Sequence, residues 1–287
     1  MHFVSTKTSS GIQFSGLLSE PKKKTDKIII HIHGMAGSHY ENGWYQAFHD
    51  KYPKNEYAFL AGQHRGTGTI TMFFQEPDHY PNYGNAFELF EYSVEDVDAW
   101  VNYARNLGYK EIYLQAHSFG PSKILYYVNQ KPNHDIKALN LISPVDMLGF
   151  SINTKNYSAL LNEAEKFVAE GKEKQLLSNL LNGEYYISAQ SFLNIFTSKS
   201  KSNILSYTDR KHDWSVVNNI NLPVMLIGGT KDHGIEGESL TTKEAFAKLK
   251  AELKQSPKVD SIIYEGADHS FDGFEDKIVK DFIKFVE

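Results

Sequence analysis

Among its 287 residues the chain has no cysteine, which excludes disulfides, thiolate catalysis and zinc–thiolate sites outright. It has no apolar stretch near the ~20 residues that a membrane-spanning helix needs. The first residues, Met1-His2-Phe3-Val4-Ser5-Thr6-Lys7, contain no apolar core of a secretory signal, so a cytoplasmic protein is expected. Positive charge is also short: 30 Lys and Arg against 35 Asp and Glu give a net charge of −5, which argues against a nucleic-acid surface. The run Lys22-Lys23-Lys24 reads as a solvated loop ahead of a strand. Internal repeats and low-complexity tracts are absent.

What is present is an alternation of apolar runs and amphipathic segments. Val4 to Leu18, broken at Ser9-Ser10-Gly11, reads as a hairpin. Strands are expected at 27–33, 57–61, 111–117, 137–142, 222–227 and 259–264. Helices are expected at 41–52, 86–107, 120–130, 242–253 and 271–286. Such alternation predicts an α/β fold with a mostly parallel central sheet flanked by helices. The rhythm breaks between Val145 and about Asn219, where only helical patterns appear, at Leu160 to Val168 and again at Leu176, Leu177, Leu180 and Leu181. That insertion is far longer than an ordinary connection. The expected division is therefore a core of 1–145 and 220–287 with a helical cap at 146–219.

One junction carries chemistry. Ala116-His117-Ser118-Phe119-Gly120 is a relaxed G-x-S-x-G that follows an apolar strand and opens a helix. A sharp strand-to-helix turn forces such a serine into strained geometry and lifts its Oγ over the sheet edge. A serine hydroxyl is a weak nucleophile without a base, and the base needs an orienting acid. Asp232, in Gly228-Gly229-Thr230-Lys231-Asp232, follows one later strand, and His269, in Gly266-Ala267-Asp268-His269, follows the last. Asp146, after the preceding strand, is a rival acid; Asp268 adjoins His269, but neighbouring side chains diverge.

The order Ser, Asp, His, with His33-Gly34 after an early strand and His64-Arg65-Gly66-Thr67-Gly68 in a loop, resembles the α/β-hydrolase superfamily, in particular a serine esterase with a helical cap. The resemblance implies Ser118 as nucleophile, His269 as general base then acid, and Asp232 as its orienter. It also implies an oxyanion hole from the backbone N–H groups of Met35 and Phe119. The expected reaction is carboxylic ester cleavage, without cofactor, on a small-molecule substrate. The cap's aromatics suggest an apolar or aromatic acyl group. Thioesterase, lactonase, amidase or peptidase activity, and non-catalytic binding of a small molecule, stay open, as does a monomeric or homodimeric state. His39, His64, Tyr185 and Trp214 are candidates for touching substrate, although each also reads as an ordinary loop or cap residue. Tyr186, Phe192 and Phe196 read as glue between cap and sheet, and Arg65 as a loop pin or an anion clamp. His31 and His33 share one strand face but lack a third ligand, so no metal is expected. Gly66 and Gly68 lack the lysine of a phosphate loop.

Overall fold

The computed structural model describes residues 1–40, 43–132, 135–235 and 240–287. Its centre is an eight-stranded sheet in the order β1-β2-β4-β3-β7-β8-β9-β10. The strands are β1 (His2–Lys7), β2 (Gln13–Ser19), β3 (Lys27–Ile32), β4 (Ala58–Gly62), β7 (Glu111–His117), β8 (Ile136–Ile142), β9 (Val224–Lys231) and β10 (Val259–Asp268). A two-stranded ribbon, β5 (Thr71–Met72) and β6 (Asn82–Tyr83), lies apart from it. The β1–β2 and β2–β4 pairings are antiparallel and every pairing from β4 to β10 is parallel. The parallel strands are apolar along nearly their whole length because helices cover both faces. One face is packed by α1 (Gly43–Lys51) and α9 (Glu275–Val286). The other is packed by α2 (Ser93–Asn106), α3 (Gly120–Gln130) and α8 (Thr242–Glu252).

The middle of the sheet carries a polar row that fixes register. His31, Gln115 and Asn140 face one another across β3, β7 and β8. Gln115 Nε2 donates to His31 Nδ1 (3.1 Å), and its Oε1 accepts from Asn140 Nδ2 (2.9 Å) and the Tyr52 hydroxyl (2.6 Å). A one-residue slip of any of these strands would bury these groups without partners.

Residues 146–219 contribute α4 (Met147–Ile152), α5 (Tyr157–Ala169), α6 (Ala189–Ile195) and α7 (Ser215–Asn218), and no strand among the described elements. Three sequence expectations are corrected. The Leu176–Leu181 segment is not helical: its chain turns back on itself through bridges Leu176↔Ser188 and Leu181↔Tyr185. Leu177 and Leu181 face the core, whereas Leu176 and Leu180 do not join it, so the four leucines do not form one helix stripe. The helix expected from residue 86 begins at Ser93, preceded by two short 3-10 turns. There the main chain bonds to the insertion instead of to itself: the Phe90 N–H donates to Asn194 Oδ1 (2.7 Å) and Ala86 O accepts from the Ser188 N–H (2.8 Å). The final helix begins at Glu275, because Phe271 and Gly273 take positive φ of 55° and 83°. The expected start of the first helix at 41 and 42 lies outside the described residues.

Candidate active site

Three strand ends and one loop meet at the C-terminal edge of the sheet. At the end of β7, Ser118 has φ of +62°, a left-handed conformation that a serine adopts only under constraint. Its N–H donates to Ile142 O (3.0 Å) and its carbonyl accepts from the Val145 N–H (3.3 Å), so the corner is tied to the chain leaving β8. Two residues on, a Cβ at Gly120 would lie 2.4 Å from Ile32 O, so the position accepts glycine alone. The same Cβ would lie 3.1 Å from the Ala116 side chain, near enough to show why position 116 must be small but need not be glycine.

The His269 imidazole bridges the two partners expected for it. Its Nε2 is 3.0 Å from Ser118 Oγ, and its Nδ1 is 2.7 Å from Asp232 Oδ1. With Nδ1–H donating to the carboxylate, Nε2 presents its lone pair to the serine hydroxyl. Asp232 is fully buried at the end of β9. Burial pushes its carboxyl up, but the hydrogen bond and charge of His269, aided by Ser143, outweigh this and hold it below the ordinary aspartate range. The rival Asp146 is used elsewhere. It caps α4, with Oδ1 accepting from the Gly149 N–H (2.8 Å) and Oδ2 from the Tyr207 N–H (3.0 Å). Burial, opposed by those N–H groups, raises its pKa.

Opposite the imidazole runs the segment after β3. His33 Nδ1–H donates to Gly34 O (2.9 Å), and the Thr67 hydroxyl donates to His33 Nε2 (2.8 Å). A trans peptide sends its C=O and N–H in opposite directions, so anchoring the Gly34 carbonyl on His33 turns the Met35 N–H away from that ring. Neither the Met35 nor the Phe119 N–H donates to a partner among the described residues. Two main-chain donors without acceptors beside a serine hydroxyl can receive the oxygen of a tetrahedral intermediate.

Behind this segment is a buried polar block. His64 stacks on His33 (3.8 Å between centroids, 21°), and its Nε2–H donates to His33 O (3.2 Å). Lys123 Nζ donates to Glu88 Oε1 at 2.5 Å, with both groups buried. Arg65 pairs with Asp96 (3.2 Å) and with Glu95 and donates to Ser10 Oγ (2.8 Å), so it pins its loop. Burial lowers the pKa of His33 to about 3 and that of His64 well below the usual range, leaving both neutral.

Over these groups opens a cavity of about 420 Å³, walled by Met35, Trp44, Tyr45, Val145, Met147 and Phe150, with Thr154, Asn182, Glu184 and Tyr185 contributed by residues 146–219. Tyr185 is the one expected substrate contact that lines it. His39, His64 and Trp214 do not line it. His39 is buried edge-on against Tyr40 (5.0 Å). His64 is occupied beneath His33, and Trp214 packs on His212 (4.8 Å) and Lys248 (5.6 Å). Nor do His31 and His33 act as a pair: β3 ends at Ile32, and the His31 ring packs against Trp44 (5.3 Å) while His33 faces Thr67. Among the described residues no group of three or more His, Cys, Asp or Glu is placed to hold a metal, and no helix is long and apolar enough to cross a membrane.

Two residues near the imidazole carry no role in the sequence reading. Ser143, at φ +48° after β8, puts Oγ 2.8 Å from His269 Nδ1. His117 Nε2 lies 2.8 Å from the His269 carbonyl oxygen. Position 143 was signalled only by standing at a strand end, and position 117 only by lying inside the motif.

A family model described as serine aminopeptidase, S33, matches residues 23–273. No curated protein matches the chain significantly. Among solved structures, Est1E from Butyrivibrio proteoclasticus, bound to ferulic acid, superposes with a TM-score of 0.65 at 17% identity, covering 98% of this chain and 97% of its own. The Pyrococcus furiosus esterase Pf2001 gives 0.64 at 17% identity, with 99% and 89% covered. The mouse alpha/beta hydrolase domain-containing protein 10 gives 0.63 at 15% identity over the full length of both chains. At these identities the likeness is one of fold.

Proposed function

We propose that this chain, which belongs to the serine aminopeptidase S33 family of α/β hydrolases, is a serine hydrolase that cleaves carboxylic esters through an acyl-enzyme on Ser118. The observation that carries the reading is the unbroken chain Ser118 Oγ–His269–Asp232, at 3.0 and 2.7 Å, beside the Met35 and Phe119 main-chain N–H groups, which have no partner among the described residues. Ser118 Oγ attacks the carbonyl carbon while its proton passes to His269 Nε2. The oxyanion is held by the N–H groups of Met35 and Phe119, each worth about 3 kcal/mol of barrier. The intermediate collapses, and His269 returns the proton to the departing alcohol. Water then attacks the acyl carbon with His269 again as base, the acyl–Ser118 Oγ bond breaks to release the acid, and His269 returns the proton to Ser118 Oγ. Asp232 keeps its charge throughout and stabilises the imidazolium that forms twice per cycle.

Cavity chemistry supports a neutral substrate with an apolar or aromatic acyl group. Trp44, Tyr45, Met147 and Phe150 offer apolar surface, and no lysine or arginine lines the cavity among the described residues. The esterase Est1E, similar in fold, was solved with ferulic acid, whose acyl group is aromatic.

The family's description supports a second reading, a peptidase that takes a free amino terminus, for which the Glu184 carboxylate on the cavity's cap side is a fitting partner. Turnover of p-nitrophenyl acetate, butyrate and benzoate, set beside aminoacyl p-nitroanilides, decides between them. Ester turnover lost in Ser118→Ala supports the first reading. Ester turnover retained in that variant overturns it, and faster cleavage of the anilides favours the second.

A further inference from the structure

Burial and position set His117 apart from the other histidines near the site. It ends β7, immediately before Ser118, and borders the same cavity, yet the reaction as written above gives it nothing to do. Its partner lies 152 residues away: Nε2 is 2.8 Å from the main-chain oxygen of His269. That oxygen accepts no main-chain N–H among the described residues, because β10 has ended at Asp268 and α9 has not begun. The turn that follows is held by Phe271 N–H to Asp268 O at 3.4 Å, Ser270 N–H to Asp268 Oδ1 at 3.0 Å and Phe274 N–H to Phe271 O at 3.0 Å, none of which engages the His269 carbonyl.

We infer that His117 is a positioning residue: its Nε2–H holds the carbonyl of His269 and thereby fixes where that imidazole sits between Ser118 and Asp232. The inference rests on the hydrolase reading for its effect on rate, though not for the bond itself. An imidazole reaches Ser118 only if its Cα is placed correctly, and the carbonyl of residue 269 is a backbone group that another element grips. Because His117 and Ser118 are consecutive, the hydroxyl and the grip on its base are carried by one rigid strand end.

The surroundings keep this donor in one state. The His117 ring stands edge-on to Trp44 (4.9 Å, 75°) and Phe271 (6.3 Å, 89°) and is tilted against His269 at 4.7 Å. Burial, then the nearby His269, lowers its pKa to about 3, partly countered by the bond to the carbonyl and by Asp232. His117 is thus neutral with its proton on Nε2. It does not compete for the serine proton, and it adds no positive charge beside His269 when that ring becomes an imidazolium.

His117→Ala and His117→Gln test the inference, since a glutamine amide N–H reaches about as far as imidazole Nε2. Kinetics with p-nitrophenyl butyrate should show kcat about 10- to 100-fold lower in His117→Ala with KM nearly unchanged, as misplacing a catalytic group by a fraction of an ångström does. His117→Gln should recover to within about 5-fold of wild type. Independently, imidazole ¹H–¹⁵N spectra of the wild-type protein should show His117 neutral with the proton on Nε2 from pH 5 to 8. Wild-type kcat in His117→Ala, a folded His117→Gln as slow as the alanine variant, or a proton on Nδ1 would each overturn it. If the wild type itself turns over no ester through Ser118, the hydrolase reading fails, while the spectra still decide whether the bond exists.

Discussion

Gly34 passes so close over Ser118 that a Cβ added to it would stand 2.7 Å from the serine Cβ and 3.1 Å from its Oγ. The peptide that follows Gly34 carries the Met35 N–H, the donor that the proposed mechanism assigns to the oxyanion. Gly34→Ala should lower kcat by about 100-fold or more, the range for losing one oxyanion donor. A cooperative melt checks that the fold survives. A Gly34→Ala variant with wild-type kcat would mean that this peptide takes no part.

Asp232 and Asp146 should separate cleanly. Asp232→Asn removes the charge behind His269 and favours the wrong tautomer, for which a loss on the order of 10⁴-fold in kcat is expected. Asp146→Ala removes a helix cap, so stability should fall by about 1–2 kcal/mol while kcat stays within about 5-fold. Denaturant titration and ester kinetics on both variants check this; the reverse pattern would make Asp146 the acid.

Acid should weaken the fold through its histidines. Burial holds His33 and His117 at about 3 and His49 at about 4, below the ordinary value near 6.5. A group depressed on folding binds fewer protons in the native state. Its contribution is therefore complete above about pH 6.5 and is lost as pH falls toward the native value. Each fully buried histidine should withdraw on the order of 2 kcal/mol by pH 5. Urea unfolding at pH 7.5 and pH 5 measures it, and equal stability at both would contradict the neutral, buried state of these rings.

The pair Lys123–Glu88, 2.5 Å apart and buried on both sides, should be costly to break and cheap to replace. Glu88→Gln strands the ammonium and should destabilise by about 3–5 kcal/mol, whereas Glu88→Gln with Lys123→Met should recover much of that. Double-mutant unfolding free energies check the coupling; additive losses would show that the two groups act independently.

Substrate charge should matter more than substrate length. With no lysine or arginine on the described cavity wall, a p-nitrophenyl ester carrying a free carboxylate on its acyl chain should have kcat/KM at least about 10-fold below a neutral ester of similar size, since an unpaired charge must be desolvated. Equal values would place the acyl group outside this cavity.

Much of this was legible in the sequence because the relevant rules are local. The runs 27–33 and 111–117 read as strands because parallel strands buried on both faces are mostly apolar, and the strands formed are Lys27–Ile32 and Glu111–His117. Ser118 stood out because its corner needs a strand before it, a helix after it and small residues around it. What failed depends on distant partners. Phe90 gives its N–H to Asn194 and so leaves the helix that its spacing suggests. His64 has the look of a loop histidine until the stacked ring of His33 appears above it. His117 and Ser143 acquire their meaning from His269, 152 and 126 residues away, and no spacing rule reaches that far.

The central claim is that the Ser118 hydroxyl is made nucleophilic by His269 and Asp232. Labelling with a fluorophosphonate probe, followed by mass spectrometry of the modified peptide, addresses it without knowledge of the substrate. One probe adduct on Ser118 in the wild type, with labelling slowed at least about 100-fold in His269→Ala and Asp232→Asn, is the expected result. An unlabelled Ser118 in folded protein, or labelling at the same rate in all three proteins, would contradict it.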